Sequence, residues 1–146
     1  MSSMISRSLL IALVIAVMCV ACGDDTTTSP STTTEVARGT EVFGGTLGVG
    51  NSQFYSFTVS QDGTTDVTLL SLRPVGSLTS TLTTVVGLGL GTPSGTECAL
   101  RSAVTTAPGL TKQITVTTNI STYCVKIADV GNLTNAVDYT VRILHP

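Results

Sequence analysis

Cysteine, histidine and the carboxylates are the side chains here that could carry chemistry, and their spacing decides how far each can go. There are four cysteines, Cys19, Cys22, Cys98 and Cys124, but only one histidine, His145, beside the last residue. A zinc site needs about four ligands of Cys and His type, which this inventory does not bring together. A catalytic cysteine needs a neighbouring base, and a Ser-His-acid arrangement needs a histidine. Both tasks would fall to His145, near a chain end of the kind that frays. Asp62 and Asp66 flank one extended run, and Asp129 and Asp138 flank a hairpin loop. Acids at strand ends read as solvated turn residues. Calcium takes about six to eight oxygens. Asp129, Asn132 and Asp138, with carbonyls from 129–136, are the candidates for it, but turn-making by Asn132 and Asn135 accounts for the same residues. Gly87-Leu88-Gly89 lies inside a strand pattern and opens no helix, so it cradles no phosphate. The expectation is a non-enzymatic chain without cofactor or resident metal.

The bulk properties agree. A chain of 146 residues holds one ordinary domain and little else. It carries 7 Lys+Arg against 9 Asp+Glu, a net charge of -2. A nucleic-acid binder needs a basic face to displace counterions, so that class is excluded. With 42% hydrophobic residues the chain can bury a core, which argues against wholesale disorder. Threonine makes up roughly a fifth of it, well above average usage. A β-branched side chain with a hydroxyl suits the wet face of a strand.

Residues 1–21 have the parts of an export signal. Arg7 gives the positive start, and Leu9 opens an apolar run that continues to Ala21. At about 13 residues the run falls short of the roughly 20 a membrane span needs, and it fits a signal's apolar region. It ends in Cys19-Val20-Ala21-Cys22-Gly23-Asp24, which resembles the lipobox of bacterial lipoproteins. Small Ala21 precedes the acceptor Cys22, although Cys19 stands where the motif usually has Leu. Met18 is too large for the cleavage point that Cys19 would require. Residues 22–38 are polar and Thr/Ser-rich, without apolar periodicity, and read as a flexible tether. The resemblance implies a lipid anchor at Cys22. One acyl chain holds only marginally, and lipoprotein maturation supplies two or three. It also implies a place in the bacterial cell envelope. Gly23, rather than Asp, favours the outer membrane, at its periplasmic face or the cell surface. Processing leaves Cys98 and Cys124 in an oxidising compartment, where they are expected to pair.

Residues 39–146 read as an all-β domain. No window sustains helical spacing, and alternation with period two recurs between Gly and Pro punctuation. Glu41–Leu47, Tyr55–Val59, Thr65–Leu72, Val85–Leu90, Gln113–Thr117, Tyr123–Ile127 and Val137–Leu144 give seven strands, with an eighth around Cys98–Arg101. One-sided alternation suits antiparallel sheets packed face to face, so a jelly-roll-like β-sandwich of seven to eight strands is predicted. Tyr123, Val125 and Ile127 facing the core would turn Cys124 outward. A Cys98–Cys124 bridge would then staple a peripheral strand to the outside of a sheet. Val67 and Leu69 share a face while Leu70 and Leu72 take the other, which predicts a bulge.

Several of these runs resemble, in order, the bacterial pre-peptidase C-terminal domain, a β-sandwich appended to secreted proteases. The matching pieces are Val42–Leu47, Gly50–Val59, Asp62-Gly63, Thr122–Ile127 and Asp138–Ile143. Members often carry an acid before the middle strand, and Val86–Gly91 has none. The resemblance implies a sandwich fold and an accessory, non-catalytic role. Three kinds of role follow: binding of protein or matrix, binding of carbohydrate, or a purely structural part of the envelope. Sugar sites rest on exposed aromatic platforms. There is no Trp, and Tyr55, Tyr123 and Tyr139 are phased inward, leaving Phe43 or Phe54. Protein contacts through an uncharged strand edge are therefore the leading expectation. The charge-free stretch Pro74–Thr96 reads better as a buried central strand with small polar loops.

Overall fold

The computed structural model describes residues 37–146. The export signal, Cys22 and nearly all of the tether lie outside the described residues. Eight strands follow in order: β1 (Gly39–Leu47), β2 (Ser52–Val59), β3 (Gly63–Pro74), β4 (Val86–Ser94), β5 (Glu97–Thr106), β6 (Ile114–Thr118), β7 (Ser121–Ala128) and β8 (Val137–His145). They form two four-stranded sheets, β1-β8-β3-β6 and β2-β7-β4-β5. Every pairing is antiparallel. The domain is the expected β-sandwich, and the eighth run around Cys98 grows into a full strand.

Alternating residues meet between the sheets. Val137, Tyr139, Val141 and Ile143 of β8 face Phe57, Leu88, Leu90, Val125 and Ile127 in a single apolar core. Strand β4 lies inside its sheet with Val86, Leu88 and Leu90 buried, and the loop before it is exposed, Leu78 at 84%. The charge-free stretch is thus an interior strand with its loop. On β3 the register with β8 shifts between Leu69 and Ser71, which returns Leu72 to the core face. The predicted bulge is there. Beyond Val67 strand β3 has no β6 partner; Leu69 N–H donates to Gln113 Oε1, and Gly109 N–H donates to the Leu69 carbonyl.

Cys124 pairs with Gly91 on the face opposite the core pair Leu90–Val125. The Cys98–Cys124 disulfide, with a Cα–Cα distance of 5.9 Å, therefore lies on the outer face and ties edge strand β5 to β7. Cys124 points outward yet is fully buried, and beside it the β4–β5 pairing carries a register shift, a bulge of the kind that bends a strand. Glycines make that bend possible. A Cβ at Gly89 would come within 2.7 Å of the Leu100 side chain that crosses it.

Two expectations need correction. Asp66 is not a solvated strand-end acid but a buried residue within β3, held by partners remote in sequence. Nor do all threonines face water: Thr65 and Thr118 are buried, and their hydroxyls satisfy each other at 2.8 Å.

Candidate functional site

Strands β1 and β2 are edge strands of different sheets, and each has a partner on one side only. Their inward side chains meet across the flank of the sandwich, where no further strand among the described residues closes the space. Phe43 of β1 stacks on Tyr55 of β2 with centroids 4.7 Å apart and planes 12° from parallel. The Tyr139 ring meets Phe43 edge-on at 6.1 Å. Both geometries suit the ring quadrupoles. The Tyr55 hydroxyl donates to Glu41 Oε2 at 2.9 Å, and Glu41 Oε1 lies 3.1 Å from His145 Nε2. The other ring nitrogen of His145 lies 3.1 Å from the Pro146 carbonyl oxygen, and its ring packs on Phe57 at 5.2 Å. The Glu41 hydrogen bond and charge, with a lesser share from burial, push the Tyr55 phenol above its ordinary range.

Outside this stack lies an open groove of about 540 Å³. Its rings are Phe43, Phe54, Tyr55 and Tyr139, its polar side chains Thr46 and Gln53, and Gly44 with Gly45 forms one wall. The glycines have a reason to be there. A Cβ on Gly44 would meet the Tyr139 carbonyl oxygen at 2.7 Å, and one on Gly45 would meet the Tyr139 hydroxyl at 3.1 Å. Tyr139 is 6% exposed, and burial pushes its phenol upward. Among the described residues its hydroxyl has no hydrogen-bond partner.

The inward phase predicted for Tyr55 holds, but the burial inferred from it does not: Tyr55 is 38% exposed. The reason is topological. An inward residue on an interior strand is covered by neighbours on both sides, whereas on an edge strand it opens to the flank. Alternation reports the face of a strand and says nothing of its rank in the sheet. Tyr123 and Tyr139 are buried as expected.

The other chemistry-bearing residues have structural partners. Asp129 Oδ1 accepts N–H groups from Gly131, Asn132 and Leu133, and Oδ2 accepts from Gly50. The Gly50 amide foremost, opposed by desolvation and helped by the other three amides, holds this carboxyl below its usual range. Asn132 contributes its backbone to that turn. Asp138 accepts from the Thr46 hydroxyl at 2.7 Å and the Gly76 amide at 3.0 Å, which lowers it as well. The described residues gather no group of three or more Cys, His, Asp or Glu able to hold a metal ion. Asp62 accepts from the Ile120 amide. His145 is not in a frayed end but 8% exposed, closing the last strand.

Asp66, expected as a solvated strand-end acid, is instead the buried centre of a cluster. Arg38 donates to it at 3.0 Å, Lys112 at 3.2 Å and Thr115 at 2.8 Å. Burial raises its pKa, but the hydrogen bonds from Thr115, Lys112 and Arg38 outweigh burial and hold it low. No local signal marks this cluster: the β3–β6 pairing sets Thr115 opposite Asp66, and the β1-β8-β3 order brings in Arg38 from ahead of β1.

Comparison with protein-family models and with curated proteins finds no match to this chain.

Proposed function

We propose that this chain is a non-catalytic cell-envelope lipoprotein, anchored through Cys22, that presents its β-sandwich as a binding module for protein or matrix partners. The observation that carries the reading is strand β5. It is a ten-residue edge strand paired only with β4, with Leu100 at 46% and Val104 at 36% exposure. Open edges of this kind recruit an added strand, and natural proteins usually blunt them with charge or proline. Within β5 only Glu97 and Arg101 are charged. A non-catalytic role is supported by the carboxylates Asp66, Asp129 and Asp138, all spent on structural contacts. The accessory role implied by the likeness to pre-peptidase C-terminal domains points the same way.

In-cell cross-linking tests the reading. Wild-type protein is expected to give discrete heterologous adducts that Val104→Lys loses while keeping its melting temperature. Identical adducts in both would remove β5 as the contact. Protease shaving of intact cells then separates the cell surface from the periplasmic face. Anchoring is tested separately: Cys22→Ala should leave the membrane fraction, and retention there would overturn it.

A second reading, retention of a polysaccharide near the cell, is favoured by the half-open aromatic groove between β1 and β2.

A further inference from the structure

We propose that the groove between β1 and β2 binds a neutral pyranose unit of a polysaccharide, resting on aromatic carbon and held by hydroxyl and amide groups. This rests on the second reading above, that the domain retains polymer, and it assigns the residues and the class of sugar.

Sugars present a C–H face that packs on aromatic rings and a rim of hydroxyls that needs donors and acceptors. The groove offers both. Phe43 and Tyr55 form a fixed stack with Tyr55 half-exposed, and the Glu41 carboxylate holds the Tyr55 phenol in place. Beside them Tyr139, 6% exposed, reaches the groove with a hydroxyl that has no partner among the described residues. That hydroxyl opens to the groove, where it is placed to exchange water for a ligand hydroxyl. The Gln53 amide is likewise free of intramolecular bonds among the described residues, and Thr46 keeps lone pairs beyond the one bond it donates. Gly45 keeps the approach to Tyr139 clear.

Neutrality follows from the lining. It contains no Lys, Arg, Asp, Glu or His, and both oxygens of nearby Glu41 are already engaged. An extended peptide fits less well. Strand addition reads side chains through pockets at alternate positions, whereas here the rings are gathered at one place.

The test is retention of the full chain, purified in detergent, on cellulose, curdlan, xylan and dextran matrices. Wild-type protein is expected to be retained on at least one. Tyr55→Ala and Gly45→Ala should weaken retention by about tenfold or more. Tyr139→Phe, which removes a single oxygen, should weaken it roughly three- to tenfold at an unchanged melting temperature, in line with one hydrogen bond. Leu110→Ala, in the exposed loop between β5 and β6, the strands at the opposite edges of the two sheets from β1 and β2, should change nothing. Retention that all three groove variants leave intact overturns the site while leaving polymer retention standing. No retention on any matrix overturns both. Displacement of the bound polymer by an extended peptide would reassign the groove to peptide.

Discussion

Gly91 of β4 lies directly against Ala99 of β5, and the Ala99 carbonyl oxygen occupies the place that a Cβ on residue 91 would take. The contact is backbone on backbone, at the point where the β4–β5 register shifts. No side-chain rotation can relieve it. Overpacking of this kind typically costs 1–3 kcal/mol and occasionally more, so Gly91→Ala should cost about 3 kcal/mol. At Gly89 the obstacle is the flexible Leu100 side chain, and Gly89→Ala should cost about 1 kcal/mol. Urea unfolding of both variants checks the ranking. Equal midpoints would show that β5 can lift away from β4.

The same bend is fixed by the Cys98–Cys124 bridge. Chain-entropy arguments give roughly 3 kcal/mol for a closed loop of about 25 residues. Replacing both cysteines with serine should therefore lower stability by about that amount, and reduction of the wild-type protein should reproduce it. The loss should concentrate in β5, read as faster amide exchange there than in β7. Uniform acceleration across both sheets would mean that the bridge supports the whole fold rather than its edge.

Asp66 links β3 to Lys112 and Thr115 at the β6 end of its sheet and to Arg38 ahead of β1. Its side chain is only 9% exposed, so removing its charge leaves two cations without a buried partner. Asp66→Asn should cost about 2 kcal/mol. The pH dependence has a definite sign. A carboxyl whose folded pKa lies below its ordinary 3.8 stabilises the fold above that value, and the contribution fades as pH falls through the lower, folded value. Asp129 and Asp138 are lowered as well and add in the same sense. Wild-type stability should drop in acid more steeply than that of Asp66→Asn. Parallel acid profiles would remove Asp66 from the account.

What the sequence made legible was each strand and its faces. Period-two runs marked β8 and β7, the doubled apolar pair Leu69-Leu70 marked the bulge, and the outward phase of Cys124 set the side on which the bridge lies. Lack of charge marked β4 as interior and the outward Cys124 marked β5 as peripheral, but alternation alone left hidden that β1 and β2 are edges, because that rank depends on long-range pairing. Tyr55 shows the consequence. Its phase was readable, but its exposure follows from β1 and β2 each lacking a second neighbour. The Asp66 cluster shows the same limit, since Arg38 is 28 residues and Lys112 46 residues away in the chain.

The bond from Tyr55 to Glu41 holds a half-exposed ring of the groove by its polar group. Ionising the phenol would place a negative charge beside the Glu41 carboxylate and break the bond, so the Tyr55 pKa stands above its ordinary 10.0. The neutral phenol is favoured in the fold. The contribution is complete below the unfolded pKa and lost as pH rises through the higher, folded one. Glu41→Gln keeps a hydrogen-bond acceptor but removes the charge. It should bring the raised transition of the exposed Tyr55 back toward 10, as followed by ultraviolet difference titration with Tyr55→Phe to assign the transition. Were Glu41→Gln to leave that transition in place, the carboxylate would not be what positions the ring, and the stack on Phe43 alone would have to do so.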